Sequence, residues 1–172
     1  MKLKDGDAVI DVQQEIPDSD FMFVTQTGMG LNCSDTFSEY KRVSGGVQGI
    51  DLYDGDQVVA VTQIDKEKEY DLVVATEFGT FKRVYLSTVN KLPRNRKGVK
   101  IADVGDDKLL LGEPVPKGDK IYLLIEDTDG NVMYADSSQF VVESRTTKGK
   151  PVAGLGIFRA KGVCSFRLND KK

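Results

Sequence analysis

Histidine and tryptophan are absent from this 172-residue chain, and cysteine occurs only twice. Without histidine the commonest general base is missing, along with Ser-His and Cys-His nucleophile pairs and most zinc sites. Carboxylates and lysines remain, but they assemble no catalytic, metal or cofactor constellation in the sequence. The chain alone is therefore expected to be no enzyme and to need no cofactor. Cys33 and Cys164 are too few for a disulfide framework and are expected as reduced thiols in a cytosolic protein. No apolar run approaches the roughly 18 residues of a membrane helix. Met1-Lys-Leu-Lys-Asp-Gly-Asp7 has no apolar signal core. A cytoplasmic location without membrane contact is the expectation. Sustained helical spacing of apolar residues is missing as well, which argues against a helical architecture.

One further scarcity is local. Residues 78–102 hold no Asp or Glu, yet they hold Lys82, Arg83, Lys91, Arg94, Arg96, Lys97 and Lys100. The net charge is −3, so this stretch, at +7, leaves −10 for the remainder. Local field governs the attraction of a polyanion more than global charge does.

What the chain does contain is a repeat of about fifty residues. Gly28, Gly79 and Gly130 stand 51 positions apart. Each follows an apolar run: Phe21-Met-Phe-Val-Thr25, Leu72-Val-Val-Ala-Thr76 and Leu123-Leu-Ile125. Each precedes a serine-led triplet: Ser38-Glu-Tyr40, Ser87-Thr-Val89 and Ser138-Gln-Phe140. A second marker, Leu3-Lys-Asp-Gly-Asp-Ala-Val-Ile-Asp-Val12, returns as Leu52-Tyr-Asp-Gly-Asp-Gln-Val-Val-Ala-Val61 and loosely as Val104-Gly-Asp-Asp-Lys-Leu-Leu-Leu111. Such a period means one supersecondary unit copied along the chain.

The unit reads as β. Residues 8–12, 21–25, 58–61, 72–76, 108–111 and 121–125 predict strands, with third strands over 29–33 and 80–85 and a last one within Lys161-Gly-Val-Cys-Ser-Phe-Arg-Leu168. Glycine turns between them supply the positive φ of tight hairpins. The serine triplets predict single helical turns, Ser38-Glu-Tyr-Lys-Arg42 foremost. Each unit reads as a four-stranded blade, with units at 1–51, 52–103 and 104–172 in one all-β domain. Three blades are too few for a closed ring, so an open arc, a fragment of a longer protein, or both, are expected. Asp127-Thr-Asp-Gly130 has part of a calcium loop but lacks the distal glutamate, and reads as a hairpin turn. Asp5-Gly-Asp7 and Asp54-Gly-Asp56 recur at equivalent places and read as turns rather than metal ligands. Phe21, Phe23 and Tyr122 read as core rather than base-stacking platforms.

The order of these marks resembles the C-terminal domain of bacterial type IIA topoisomerase A subunits, those of DNA gyrase and topoisomerase IV. The resemblance covers about Leu3 to Leu168 and is strongest over Thr76-Glu-Phe-Gly-Thr-Phe-Lys-Arg83. It implies a β-pinwheel, propeller-like, whose blades exchange strands and whose basic rim bends duplex DNA. It further implies two partners, the rest of the A subunit with the ATPase subunit that joins it, in a bacterial, nucleoid-associated setting. Gyrase is marked by a Q-R-R-G-G-K-G box. Here Lys41-Arg-Val-Ser-Gly-Gly-Val-Gln-Gly49 keeps the glycines without the full basic set, Leu92-Pro-Arg-Asn-Arg-Lys-Gly-Val-Lys100 keeps the charge, and Ser144-Arg-Thr-Thr-Lys-Gly-Lys150 is weaker. The degenerate box favours a topoisomerase IV-like role over chiral wrapping. None of the six tyrosines matches the family's breakage-reunion residue.

The expected DNA contacts are Arg94, Arg96 and Lys97 in one loop, then Lys82 and Arg83, with Lys91 and Lys100 in the same basic stretch. Lys41, Arg42, Arg145, Lys148 and Lys150 are their counterparts in the flanking blades. Lys82 and Arg83 must point to opposite faces of a strand. Leu31-Asn32 replaces them in the first unit, which is therefore expected to bind DNA poorly. The competing reading is a propeller-like protein-interaction module whose basic loops hold an acidic partner.

Overall fold

A computed structural model describes residues 3, 5–35, 37 and 44–168. The strands in order are β1 (Ser19–Thr25), β2 (Met29–Cys33), β3 (Val58–Asp65), β4 (Tyr70–Thr76), β5 (Phe81–Tyr85), β6 (Lys91–Leu92), β7 (Val99–Lys100), β8 (Leu109–Pro116), β9 (Tyr122–Asp127), β10 (Val132–Asp136) and β11 (Ala160–Phe166). Two single 3-10 turns, Leu86–Thr88 and Ser137–Gln139, fall on predicted serine triplets. The first triplet lies outside the described residues.

Each sheet is centred on one of the repeated apolar runs. β1 pairs antiparallel with β2 and β3, β4 with β5 and β8, and β9 with β10 and β11. Gly28, Gly79 and Gly130 turn the three hairpins at φ of 85°, 74° and 83°, a region where a Cβ is penalised. The third strand of each of the first two sheets comes from the following unit. β3 carries the Val-rich run of the second Gly-Asp marker into the first sheet, and β8 carries that of the third into the second. The blades thus exchange strands, as the resemblance implies, and the sheets cut across the sequence units.

Two expectations change with this exchange. Residues 8–12, read as a strand, form none. None of the three sheets formed by the described residues takes them in. The chain just after this segment flanks β3, where the Ile16 amide donates to Gln63 Oε1 and Gln63 Nε2 donates to the Gln14 carbonyl, both at 2.7 Å. The four-stranded blade is also only partly realised. The fourth place beside β2 is shared by β6, parallel, and β7, antiparallel. Beside β5 it shrinks to single bridges from Arg83 to Val142 and Phe81 to Lys150. Among the described residues no strand pairs with the outer edge of β10.

The three sheets stack front to back. Met22 and Val24, on the front of the first sheet, pack on Leu72 and Val74, on the back of the second, with Ile101 and Leu109. Val73, Ala75 and Phe81, on the front of the second, pack on Leu123, Ile125 and Ala135, on the back of the third. β4 is therefore buried on both faces. This is why its run, Leu72-Val-Val-Ala-Thr76, is apolar without alternation. Gly112 of β8 permits the first of these contacts, since a Cβ there would stand 2.5 Å from Val24 Cγ1.

The Gly-Asp marker is a clasp between neighbouring units. Asp56 accepts from the Thr27 amide at 3.0 Å, the Thr27 hydroxyl at 2.6 Å and the Gln57 amide at 2.8 Å. Asp107 repeats this with the amides of Phe78 at 3.1 Å and Lys108 at 2.8 Å. Each carboxylate ties the start of an exchanged strand to the hairpin of the preceding unit. Burial acts to raise the Asp56 pKa, but the hydrogen bonds from Thr25, Thr27 and Gln57 outweigh it and hold it below the ordinary carboxylate range.

Candidate nucleic-acid interface

The loop between β6 and β7 carries Arg94, Arg96 and Lys97, and its two flanking strands bind it to β2. It therefore lies on the first blade, although its sequence belongs to the second unit. The loop of the third unit is bound in the same way to β5 of the second blade. Gly98 and Gly149 make both attachments possible. Their φ values are 75° and 102°, and a Cβ would stand 2.2 Å from the Gly30 carbonyl oxygen or 3.0 Å from that of Phe81. Counting back from these glycines, Arg94-Asn-Arg-Lys97 and Arg145-Thr-Thr-Lys148 place an arginine and a lysine at matching points on successive blades.

Within the first of these loops the Arg94 amide donates to Asp35 Oδ2 at 3.0 Å, with Arg94 Nε 3.9 Å from the same oxygen. The Arg96 carbonyl accepts from the Asp51 amide, while its guanidinium is exposed and has no partner among the described residues. Lys97 Nζ lies 3.4 Å from Asp51, donates to the Leu52 carbonyl and sits 4.2 Å above the Tyr53 ring. Lys91 is bound to Asp20 at 2.5 Å, and Lys100 to Asp103 at 2.9 Å.

The two loops meet. Arg145 Nη1 donates to the Lys100 carbonyl at 2.9 Å, and the Asp103 amide donates to the Thr147 carbonyl at 3.0 Å. Lys148 faces Asp107 at 3.8 Å and lies 5.8 Å from the exposed Phe78 ring, which Arg159 approaches from 5.3 Å. Lys150 pairs with Glu143 at 3.4 Å. Arg94, Arg96, Lys97, Lys100, Arg145 and Lys148 thus run along two adjoining loops. Most of their ion pairs are exposed, where a pair is worth about 0–1 kcal/mol and a phosphate can displace the carboxylate. Arg159 and Lys108, which pairs with Glu77 at 3.8 Å, extend the positive surface around Phe78. Neither lies in the acid-free stretch, so charge patterning alone passed over both.

Lys82 corrects the sequence expectation. Its side chain is fully buried, and its ammonium donates to the carbonyls of Ser144 at 2.9 Å, Arg145 at 3.3 Å and Thr147 at 2.6 Å. It is an internal anchor of the third unit's loop and has no surface to offer a phosphate. Burial pushes its pKa down to about 8, against the charges of Glu143 and Asp103. Arg83 does point to the opposite face, where Nη1 lies 3.4 Å from the buried Asp71. The expectation of a poor first blade, argued from the loss of these two residues, loses its ground. Leu31 replaces a buried lysine there, while the most basic loop attaches to that same blade. Lys41 and Arg42 lie outside the described residues.

Comparison with known proteins bears on this arrangement. The family model of the DNA gyrase C-terminal domain, beta-propeller, matches residues 19–65 and 70–113. The DNA gyrase A protein of Staphylococcus epidermidis strain ATCC 12228 is 31% identical over 105 residues, 60% of this chain and 12% of the relative. That of Aeromonas salmonicida is 29% identical over 114 residues, 65% of this chain and 12% of the relative. The aligned part thus spans about an eighth of these relatives' length. Among solved structures, the C-terminal domain of DNA topoisomerase IV superposes with a TM-score of 0.82 at 23% identity, covering 96% of this chain and 52% of that one. The DNA gyrase A C-terminal domain gives 0.73 at 21% identity, covering 89% and 52%. At these identities the structures speak for the fold, which extends the likeness over the third sheet beyond the part matched by the family model. The chain belongs to the DNA gyrase C-terminal domain family of β-propellers.

Proposed function

We propose that this chain is a duplex-DNA binding, bending and positioning module of the A subunit in a type II DNA topoisomerase, working beside that subunit's cleavage core and the ATPase partner. The observation that carries the reading is the pair of adjoining loops, Arg94 to Lys97 and Arg145 to Lys148, presented at matching points of two successive blades. Their cations are spaced along a surface, which suits contact with a phosphate backbone and gives no means of reading base sequence. Topology change is the work of the whole enzyme, and this chain contributes the hold on DNA. The incomplete glycine-basic box favours positioning of DNA, in the manner of topoisomerase IV, over wrapping.

Electrophoretic shift of a duplex across a salt series tests the reading. Wild type should bind without sequence preference and release as salt rises. Arg94→Gln, Arg96→Gln and Lys97→Gln together should flatten the plot of log affinity against log salt by up to about 0.9 for each phosphate that is no longer neutralised. A folded wild type that shifts no DNA at low salt would refute the proposal and favour an acidic protein partner on the same loops.

A further inference from the structure

We infer that Phe78, at the tip of the hairpin between β4 and β5, is a wedge that enters a base step of the bound DNA and stacks on the base it uncovers. This role rests on the DNA-binding reading above.

The hairpin tips of the first two blades share one backbone frame. In the first, the Gln26 amide donates to the Gln57 carbonyl at 2.8 Å, and the Gln26 carbonyl accepts from the Leu109 amide at 2.9 Å. In the second, the Glu77 amide donates to the Lys108 carbonyl at 2.9 Å, and the Glu77 carbonyl accepts from the Ala160 amide at 2.7 Å. Between this frame and the turn glycine stands Thr27 in the first blade and Phe78 in the second. The Thr27 hydroxyl completes its clasp by donating to Asp56 Oδ2 at 2.6 Å. Phe78 has no hydroxyl to give. The matching oxygen, Asp107 Oδ2, is buried with no hydrogen-bond donor among the described residues, and Lys148 Nζ stands 3.8 Å away. A buried acceptor left without a donor is rare and calls for a reason. Local rules broken in this way concentrate at functional sites. What replaces the hydroxyl here is an aromatic ring that is 42% exposed.

The surroundings of the ring suit nucleic acid. Lys148 Nζ lies 5.8 Å from its centroid and the Arg159 guanidinium carbon 5.3 Å. Lys148 belongs to the second basic loop, so the ring stands on the same surface as the proposed phosphate contacts. Cations on either side can hold the phosphates that flank a base step. The tip is also fixed in place. The Phe78 amide donates to Asp107 Oδ1 at 3.1 Å and the Gly79 amide to the Thr76 carbonyl at 3.2 Å. Phe158 packs closely on Gly79, where a Cβ would stand 2.9 Å from its ring. Apolar wedges partly unstack a step and kink the duplex toward the major groove. An aromatic face stacks on any base, so the contact adds grip and bend without reading sequence. That matches a track built of phosphate contacts.

The test is affinity for two duplexes of one sequence, one intact and one with a single-nucleotide gap, where a step is already unstacked. Wild type should prefer the gapped duplex. Phe78→Thr installs the first blade's residue and returns a donor to Asp107, so its urea midpoint should rise. Its preference for the gapped duplex should nonetheless fall by about fivefold or more. The salt slope should stay as in wild type, because no charge is lost. The chain has no tryptophan, so Phe78→Trp places a lone reporter at the tip. This variant should keep the preference, and its emission should drop on binding the gapped duplex as the indole stacks. The flexibility of gapped DNA favours wild type and Phe78→Thr alike, so a preference that survives undiminished in Phe78→Thr overturns the inference. A wild type that binds both duplexes equally also overturns it and leaves the DNA-binding reading standing. A folded wild type that shifts neither duplex at low salt removes that reading and the wedge together.

Discussion

Lys82 holds a buried ammonium among three carbonyls that arrive from about 62 residues further along the chain. Its worth lies in what it organises, since residues 144–147 carry Arg145 and lead into Lys148. Removing one partner of a buried hydrogen bond leaves the other to bear its desolvation, about 1–3 kcal/mol for each group. Lys82→Met should therefore loosen the third unit's loop, with amide exchange over 144–148 rising tenfold or more, and with the loop between β6 and β7 unaffected. The effect on stability depends on pH. The ordinary lysine value is 10.5 and the folded value is about 8. Below the folded value both states are protonated and the cost of burying the charge is present in full. From about 8 to 10.5 the unfolded chain binds the extra proton, so stability rises with pH, by at most about 1.4 kcal/mol per pH unit. Urea unfolding of wild type and Lys82→Met should show their stability difference shifting in favour of wild type across that window. A difference that stays constant rules this out. Charge alone marked Lys82 as a surface cation because lysines are almost never fully buried, and nothing within its own strand announces the distant carbonyls.

At the scale of elements, the blade loops depend on glycines for two separable reasons. Gly46 and Gly98 have nearly the same φ, 77° and 75°, but a Cβ at Gly46 meets open space while one at Gly98 would stand 2.2 Å from a backbone oxygen. Gly46→Ala should cost only the backbone term, about 1–2 kcal/mol. Gly98→Ala should cost distinctly more, because the loop must leave β2 as well. Equal losses in chemical denaturation would mean that the loop is not fixed to that strand. A parallel test concerns the clasps: Asp56→Ala should destabilise by about 1–3 kcal/mol by orphaning the Thr27 and Gln57 amides. Its folded pKa is depressed, so its contribution is present above the unfolded value of 3.8 and disappears as pH falls through the folded one. The difference between wild type and Asp56→Ala should therefore narrow in acid. These elements were legible to different degrees. The hairpin glycines and apolar runs declare themselves locally, and β1, β2, β4 and β5 lie where the sequence predicts. Membership of a sheet is not a local property. β3 and β8 were readable as strands, yet their joining the preceding unit, and the failure of residues 8–12 to form a strand, depend on which central strand is available.

The whole molecule turns separate loops into one surface, because strand exchange moves each basic loop one blade back and Arg145 then reaches the Lys100 carbonyl. The acid-free stretch exposed the charge in the sequence. Its division between two blades, with Lys82 inside and Arg159 added, could not be read there, since it follows from pairings between residues far apart in the chain. If the two loops form a single track, their contributions to DNA binding are nearly independent contacts along one duplex. Arg145→Gln with Lys148→Gln should then lower the salt slope by up to about 1.8, and combination with the Arg94, Arg96 and Lys97 changes should add the two reductions. Lys82→Met should weaken binding by disordering one loop, with a smaller reduction of slope than the Arg145 and Lys148 changes, because Lys82 itself reaches no phosphate. On the proposed reading, a track spread over successive blades should also bend the duplex it holds. Curving 20–30 base pairs costs on the order of 1–6 kcal/mol, which the second loop's contacts must offset. End-to-end energy transfer on a labelled duplex should therefore rise with wild type and fall back when either loop is neutralised, even at protein concentrations that restore saturation. Saturated variants that bend DNA as fully as wild type would show that one loop suffices, and that the two are not a continuous path.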